Sequence, residues 1–106
     1  MDKVIRIYQL KDDNKEILFE PLSFVERKGI QLKKEMYDIV YEYKIMDEIN
    51  DMNIFLEKIF ERFNLKIPKD YKGHSLSISD IVGVKIDGEE QAYYVDRIGF
   101  KQVKFE

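Results

Sequence analysis

The sequence predicts an α+β fold, a small antiparallel β-sheet packed against one main amphipathic helix, and three observations lead to it. The stretches KVIRIYQL, MYDIVYEYKI and DIVGVKI are dense in the β-branched and aromatic residues that suit strands. In DEINDMNIFLEKIFERFN, Ile49, Met52, Leu56, Ile59, Phe60 and Phe63 recur at helical spacing and form one apolar stripe. Asp87 and Gly88 separate two strand-like runs, the pairing that favours a tight antiparallel hairpin. At 106 residues the chain is long enough to bury one core and too short for two, so residues 1–106 are expected to form a single domain.

Taken in order, KVIRIYQL carries apolar side chains at both parities, which suits a central strand, and ends at the turn-forming cluster KDDNK. In EILFEPLSFVERKGI, Pro21 interrupts the pattern. A short strand to Phe19 followed by one helical turn from Ser23 to Lys28, stopped by Gly29, fits it best. MYDIVYEYKI alternates, with Tyr37, Ile39, Tyr41, Tyr43 and Ile45 on one side and Asp38, Val40, Glu42 and Lys44 on the other. The helix that follows has N-cap candidates in Asp47, Asn50 and Asp51, and Asn64 and Pro68 close its far end. Its stripe is expected to cover the tyrosine-rich strand face; Met and Phe at this spacing pack a core rather than line a cofactor pocket. Beyond the loop LKIPKDYKGHS come the strand DIVGVKI, the turn DGEE, the returning strand QAYYVDRI and, after a kink at Gly99, a last short strand in GFKQVKF.

Composition narrows the function classes. The chain has no cysteine, which removes disulfides, thiolate nucleophiles and cysteine-based metal centres and fits a reducing cytoplasm. The opening MDKVIRIYQL lacks the regions of a signal peptide, and no apolar run approaches the roughly 20 residues of a membrane span. A cytoplasmic protein with no membrane association and no cofactor is the expectation. The net charge is -3, and its acidic excess falls in the middle of the chain, five acidic against two basic residues over 47–63. Nucleic-acid binding through phosphates needs a clustered basic surface, which this distribution does not offer, so nucleic acid is not expected as a direct ligand. An acidic face could meet a basic partner or mimic nucleic acid, but a solvated helix face is the commoner meaning of such charges.

One stretch invites a catalytic reading. GHSLSISD opens like the nucleophile elbow G-x-S-x-G and places the only histidine beside three serines and an aspartate. An elbow needs a strand before the serine, a helix after it and a second glycine; here a polar loop precedes, a strand follows, and Ser77 stands where the glycine belongs. The structural reading accounts for the residue types: Ser77, Ser79 and Asp80 can bond nearby backbone amides and turn the chain into a strand. Gly73 would supply a backbone conformation that other residues resist, and His74 would bond backbone or a carboxylate such as Asp96. No catalytic or metal-ligating set is assigned, and no P-loop, dinucleotide fingerprint, HExxH or EF-hand spacing occurs. In QAYYVDRIGF the aromatics could stack bases, but only Arg97 is near to neutralise phosphate, so packing of Tyr93, Tyr94 and Phe100 is the expected use.

Taken together, RFNLKIPKDYKGHSLSISDIVGV and YYVDRIGFKQV resemble the YodL-like domain. The pattern is Gly73, His74, Ser75, Leu76, Ser77, Ser79 and Asp80, followed by Tyr94, Val95, Asp96, Gly99 and Phe100; Arg97 stands where a small residue is more usual. The match is specific over the last two fifths of the chain, with IYQL and FERFN agreeing more loosely. This resemblance implies small standalone proteins, or modules of large proteins of conjugative elements and phages, in Gram-positive bacteria. Such domains sit beside counter-defence functions, and one member is linked to interference with the shape-determining cytoskeleton. No assigned catalysis comes with the resemblance. It implies a non-enzymatic accessory module that binds a host or element protein, with a nucleic-acid-associated role, as acidic mimic or binder, as the alternative. The oligomeric state is not specified.

Overall fold

A computed structural model describes residues 3–106. In its first strand, β1 (Lys3–Leu10), Ile5 and Ile7 point to one side and Tyr8 to the other, all three buried, so this strand needs a covered layer on each face. It lies between β2 (Tyr37–Ile45) and β3 (Ile81–Ile86). With β4 (Glu89–Val95) and β5 (Phe100–Val103) they form a five-stranded sheet of order β2-β1-β3-β4-β5, antiparallel throughout. The β3–β4 connection turns on Asp87 and Gly88, at φ 54° and 84°, the left-handed pair that a two-residue hairpin requires. The fold is the α+β arrangement the sequence predicts.

The first face is covered by the helix α2 (Met52–Leu65). Asp51 caps it, its carboxylate accepting from the Ile54 amide at 3.2 Å. Leu56, Ile59 and Phe63 from the stripe are buried against Ile5, Ile7, Val82, Val84, Tyr93 and Val95, with Tyr41 and Tyr43 packed around them. Phe60, at the stripe's margin, remains partly exposed and meets the Phe100 ring edge-on at 6.4 Å between centroids.

A second layer on the opposite face goes beyond the one-helix picture. The helix α1 (Leu22–Arg27), a 3-10 stretch over Asp12–Ile17 and the segment leading into β2 bring Ile17, Val25, Leu32 and Tyr37 onto Tyr8, Ile81, Ala92 and Tyr94. The short strand expected up to Phe19 does not form. Its backbone bonds close locally instead, Asn14 N–H to Lys11 O, Leu18 N–H to Lys15 O and Glu20 N–H to Ile17 O. The three apolar residues Ile17, Leu18 and Phe19 are too short a run to distinguish strand from turn, and the preceding Asp-Asp-Asn favours the turn. The helical turn does form, one residue earlier than expected.

The alternation expected in β2 is also interrupted. Pairing runs from Ile7↔Tyr41 to Tyr8↔Ile39, leaving Val40 as the extra residue of a β-bulge. Tyr41, Tyr43 and Ile45 face α2 as expected, but Tyr37 joins the opposite core and Ile39 is exposed. On the uncovered part of that second face, the Glu90 carboxylate takes Tyr8 Oη–H at 2.8 Å and Lys34 Nζ at 3.0 Å, and Arg6 pairs with Glu42 at 2.6 Å. Gly83 leaves the space for Glu90, since a Cβ there would meet Glu90 Oε2 at 2.4 Å.

Candidate functional site

The inward parity of β1, set by Ile5 and Ile7, continues to Gln9, which is only 4% exposed and therefore requires polar partners. It finds them in the loop before β3. Gln9 Oε1 accepts from the His74 amide at 3.1 Å, while its Nε2 donates to His74 O at 2.9 Å and to Asp80 Oδ2 at 3.0 Å. Tyr71 Oη–H donates to the same His74 carbonyl at 2.7 Å. Gly73 makes this approach possible through its size, a correction to the expected backbone conformation: its φ is not left-handed, but a Cβ there would sit 2.4 Å from Gln9 Oε1 and 2.9 Å from Val40.

Asp80 closes the loop. Its Oδ2 accepts from the Ser77 amide at 2.8 Å, and its own amide donates to Ser77 O at 3.1 Å, a small ring that turns the chain into β3. The side chain is fully buried, and Oδ1 finds no hydrogen-bond partner among the protein's described groups; His74 Nε2 stands 3.8 Å away. Burial pushes the Asp80 carboxyl up to about 7, against the opposing pull of the Ser77 amide, His74 and Gln9. The carboxylate beside His74 is thus Asp80, not Asp96. The other ring nitrogen, Nδ1, lies 2.7 Å from Ser75 O, and Ser77 Oγ–H donates to that carbonyl at 2.8 Å. Among the described residues no serine hydroxyl bonds either ring nitrogen, so the nucleophile–base contact of a serine hydrolase is missing.

The second half of the sequence pattern meets the first through the sheet. Ser79 N–H donates to Val95 O at 3.0 Å and Val95 N–H to Asp80 O at 2.9 Å. Together the two halves clamp the segment between the 3-10 stretch and α1. Ser79 Oγ accepts from the Phe19 amide at 3.1 Å, Tyr94 Oη–H donates to Glu20 O at 2.6 Å, and Asp96 Oδ1 accepts from the Leu22 amide at 3.2 Å. Ser79, itself at φ 85°, is further held by Tyr37 Oη–H, which donates to its carbonyl at 2.8 Å. Asp96 also receives the Arg97 amide at 2.8 Å and donates its own amide to Gly99 O at 3.0 Å, with Gly99 at φ 70° before Phe100. On the other face, Leu76 is buried beneath α2. Its amide donates to Phe63 O at 3.3 Å and its carbonyl accepts from Asn64 Nδ2 at 3.1 Å, which ties the loop to the helix end.

What the clamp presents is Phe19. The residue is held at φ 62°, where a side-chain-bearing residue is strained, yet it is 56% exposed, and its ring lies edge-on to the His74 ring at 6.2 Å. Nothing in the chain's periodicity marks Phe19, Tyr37 or Tyr71 as part of this site. Gln9 carried a signal, a polar residue at the buried parity of an otherwise apolar strand. Two depressions border this end of the sheet, of about 230 Å³ against Phe60, Asp96 and Phe100 and about 280 Å³ against Pro21, Arg97 and Ile98. Both fall below the ~300 Å³ at which pockets for drug-sized ligands begin.

No curated protein and no solved structure matches the chain. The model of one protein family, the YodL-like domain, matches residues 4–105, far beyond the two stretches that carry the resemblance in sequence. The residues that bring Gln9, the 71–80 loop, the Phe19–Leu22 segment and the β4–β5 turn into one cluster therefore lie within a single family unit, and the chain belongs to the YodL-like domain family.

Proposed function

We propose that this chain is a non-enzymatic protein-binding accessory module of mobile-element or phage origin, acting on a host protein in the manner of a counter-defence inhibitor. One observation carries the binding role: a phenylalanine in left-handed backbone conformation, clamped through its own amide and its neighbours, and more than half exposed. Strain of this kind costs about 1–2 kcal/mol for a residue with a Cβ, and an exposed ring returns little of that through packing. A presented aromatic beside an accessible imidazole is the chemistry of a protein-contact anchor. The mobile-element and counter-defence parts rest on the company YodL-like domains keep. The nucleic-acid alternative loses its stacking platform, because Tyr93 and Tyr94 are buried on opposite faces of the sheet.

Phe19→Gly separates a binding role from a folding role. Glycine adopts the left-handed conformation freely, so the variant should be as stable as the parent or more stable by about 1 kcal/mol. In affinity capture from host lysate, the parent should retain a specific host protein and the variant should lose it. Equal capture by both would remove Phe19 from the interface. Capture of nucleic acid that collapses with rising salt would replace the proposal with the nucleic-acid reading.

A further inference from the structure

The sheet has two edges of unequal kind. β5 is four residues long, whereas β2 runs for nine, pairs on one side with β1 only, and makes no other backbone hydrogen bond between Asp38 and Ile45 among the described residues. A long open edge is a template for another strand unless its side chains forbid it. The bulge at Val40 ends regular pairing and leaves Tyr41–Ile45 as the usable stretch.

We infer that this edge pairs antiparallel with β2 of a second copy of the chain, about a two-fold axis at Tyr43. The choice of register follows from charge and face. Centred on Tyr43, Glu42 lies opposite the partner copy's Lys44 and Lys44 opposite its Glu42, while Tyr41 and Ile45 meet on the α2 side. Centring on Glu42 or Lys44 sets two like charges face to face. Centring on Tyr41 carries the pairing into the bulge, where residue 39 no longer shares a face with residue 43. A contact of five residues per strand is smaller than the ~800 Å² per partner of a standard interface, so the dimer is weak and concentration-dependent.

Sedimentation velocity of the full chain over a concentration series tests this. The parent should show reversible monomer–dimer exchange, with backbone amides of Tyr41–Ile45 gaining hydrogen-exchange protection as concentration rises. Lys44→Glu places Glu42 opposite glutamate twice and should raise the dimer dissociation constant at least tenfold, with an unchanged melting temperature in the monomer range. The exchange Glu42→Lys with Lys44→Glu should restore association. A chain that stays monomeric at millimolar concentration, or a dimer indifferent to Lys44→Glu, would overturn the inference.

Discussion

The two faces of the sheet are held by different means. On the α2 face, one helix of fourteen residues lays a periodic stripe across five strands, and the contact is chiefly apolar. Among the described residues the opposite face has no long helix. Its cover consists of six-residue pieces and loops, none able to stand alone, and they are fastened by side-chain to backbone bonds from Ser79, Tyr94 and Asp96. A stripe repeats along the sequence and stabilises through area; a clamp consists of single residues far apart in the chain, each acting at one point.

The largest test of this contrast is truncation of the two cores. Phe63→Ala removes a fully buried ring from the α2 face and should cost about 3–5 kcal/mol in urea unfolding. Val25→Ala, equally buried in the second layer, should cost about 2 kcal/mol, the scale of a valine side chain. Equal losses would mean that the second face carries as much of the folding energy as the first, and the division drawn between them would fail.

Next in size is the response to pH at Asp80, where loop, strand and clamp meet. Its folded carboxyl is raised from the ordinary 3.8 to about 7, so the folded chain binds the proton more tightly than the unfolded chain. The stability this supplies is complete below pH 3.8 and is lost as the pH climbs through about 7. The titratable neighbours facing the group are His74 and the hydroxyls of Tyr37, Tyr71 and Tyr94. Burial raises all three hydroxyls, which remain neutral over this range. Asp80→Asn keeps an acceptor for the Ser77 amide and removes the charge. Relative to the parent, unfolding free energy for this variant should therefore improve as pH rises from 4 to 8, read from chemical denaturation at each pH. A pH-independent difference would show that Asp80 does not hold its proton in the folded chain.

The smallest effect sharpens the comparison most. Tyr94→Phe deletes the bond to Glu20 O and keeps the ring, so global stability should fall by about 1 kcal/mol. Amide exchange should rise in Leu22–Arg27 while the amides of α2 keep their protection. Uniform loosening of both helices would contradict a clamp specific to the second face.

The elements that repeat or punctuate were legible in the sequence: the α2 stripe, the Asp87-Gly88 turn, the strands around it and the kink at Gly99. Each depends on spacing within a dozen residues and is decided by local geometry. The residues later found at the site were also visible from Gly73 to Phe100, because short polar side chains before a strand mark a turn. Their partners were not. Gln9 opposite His74, Ser79 on the Phe19 amide and Asp96 on the Leu22 amide join positions 60 or more residues apart, and no local periodicity encodes which amide a buried oxygen will receive. The bulge at Val40 and the small space at Gly73 belong to the same class. Each is set by what an adjoining segment leaves room for, and that is decided only when the sheet has brought the segments together.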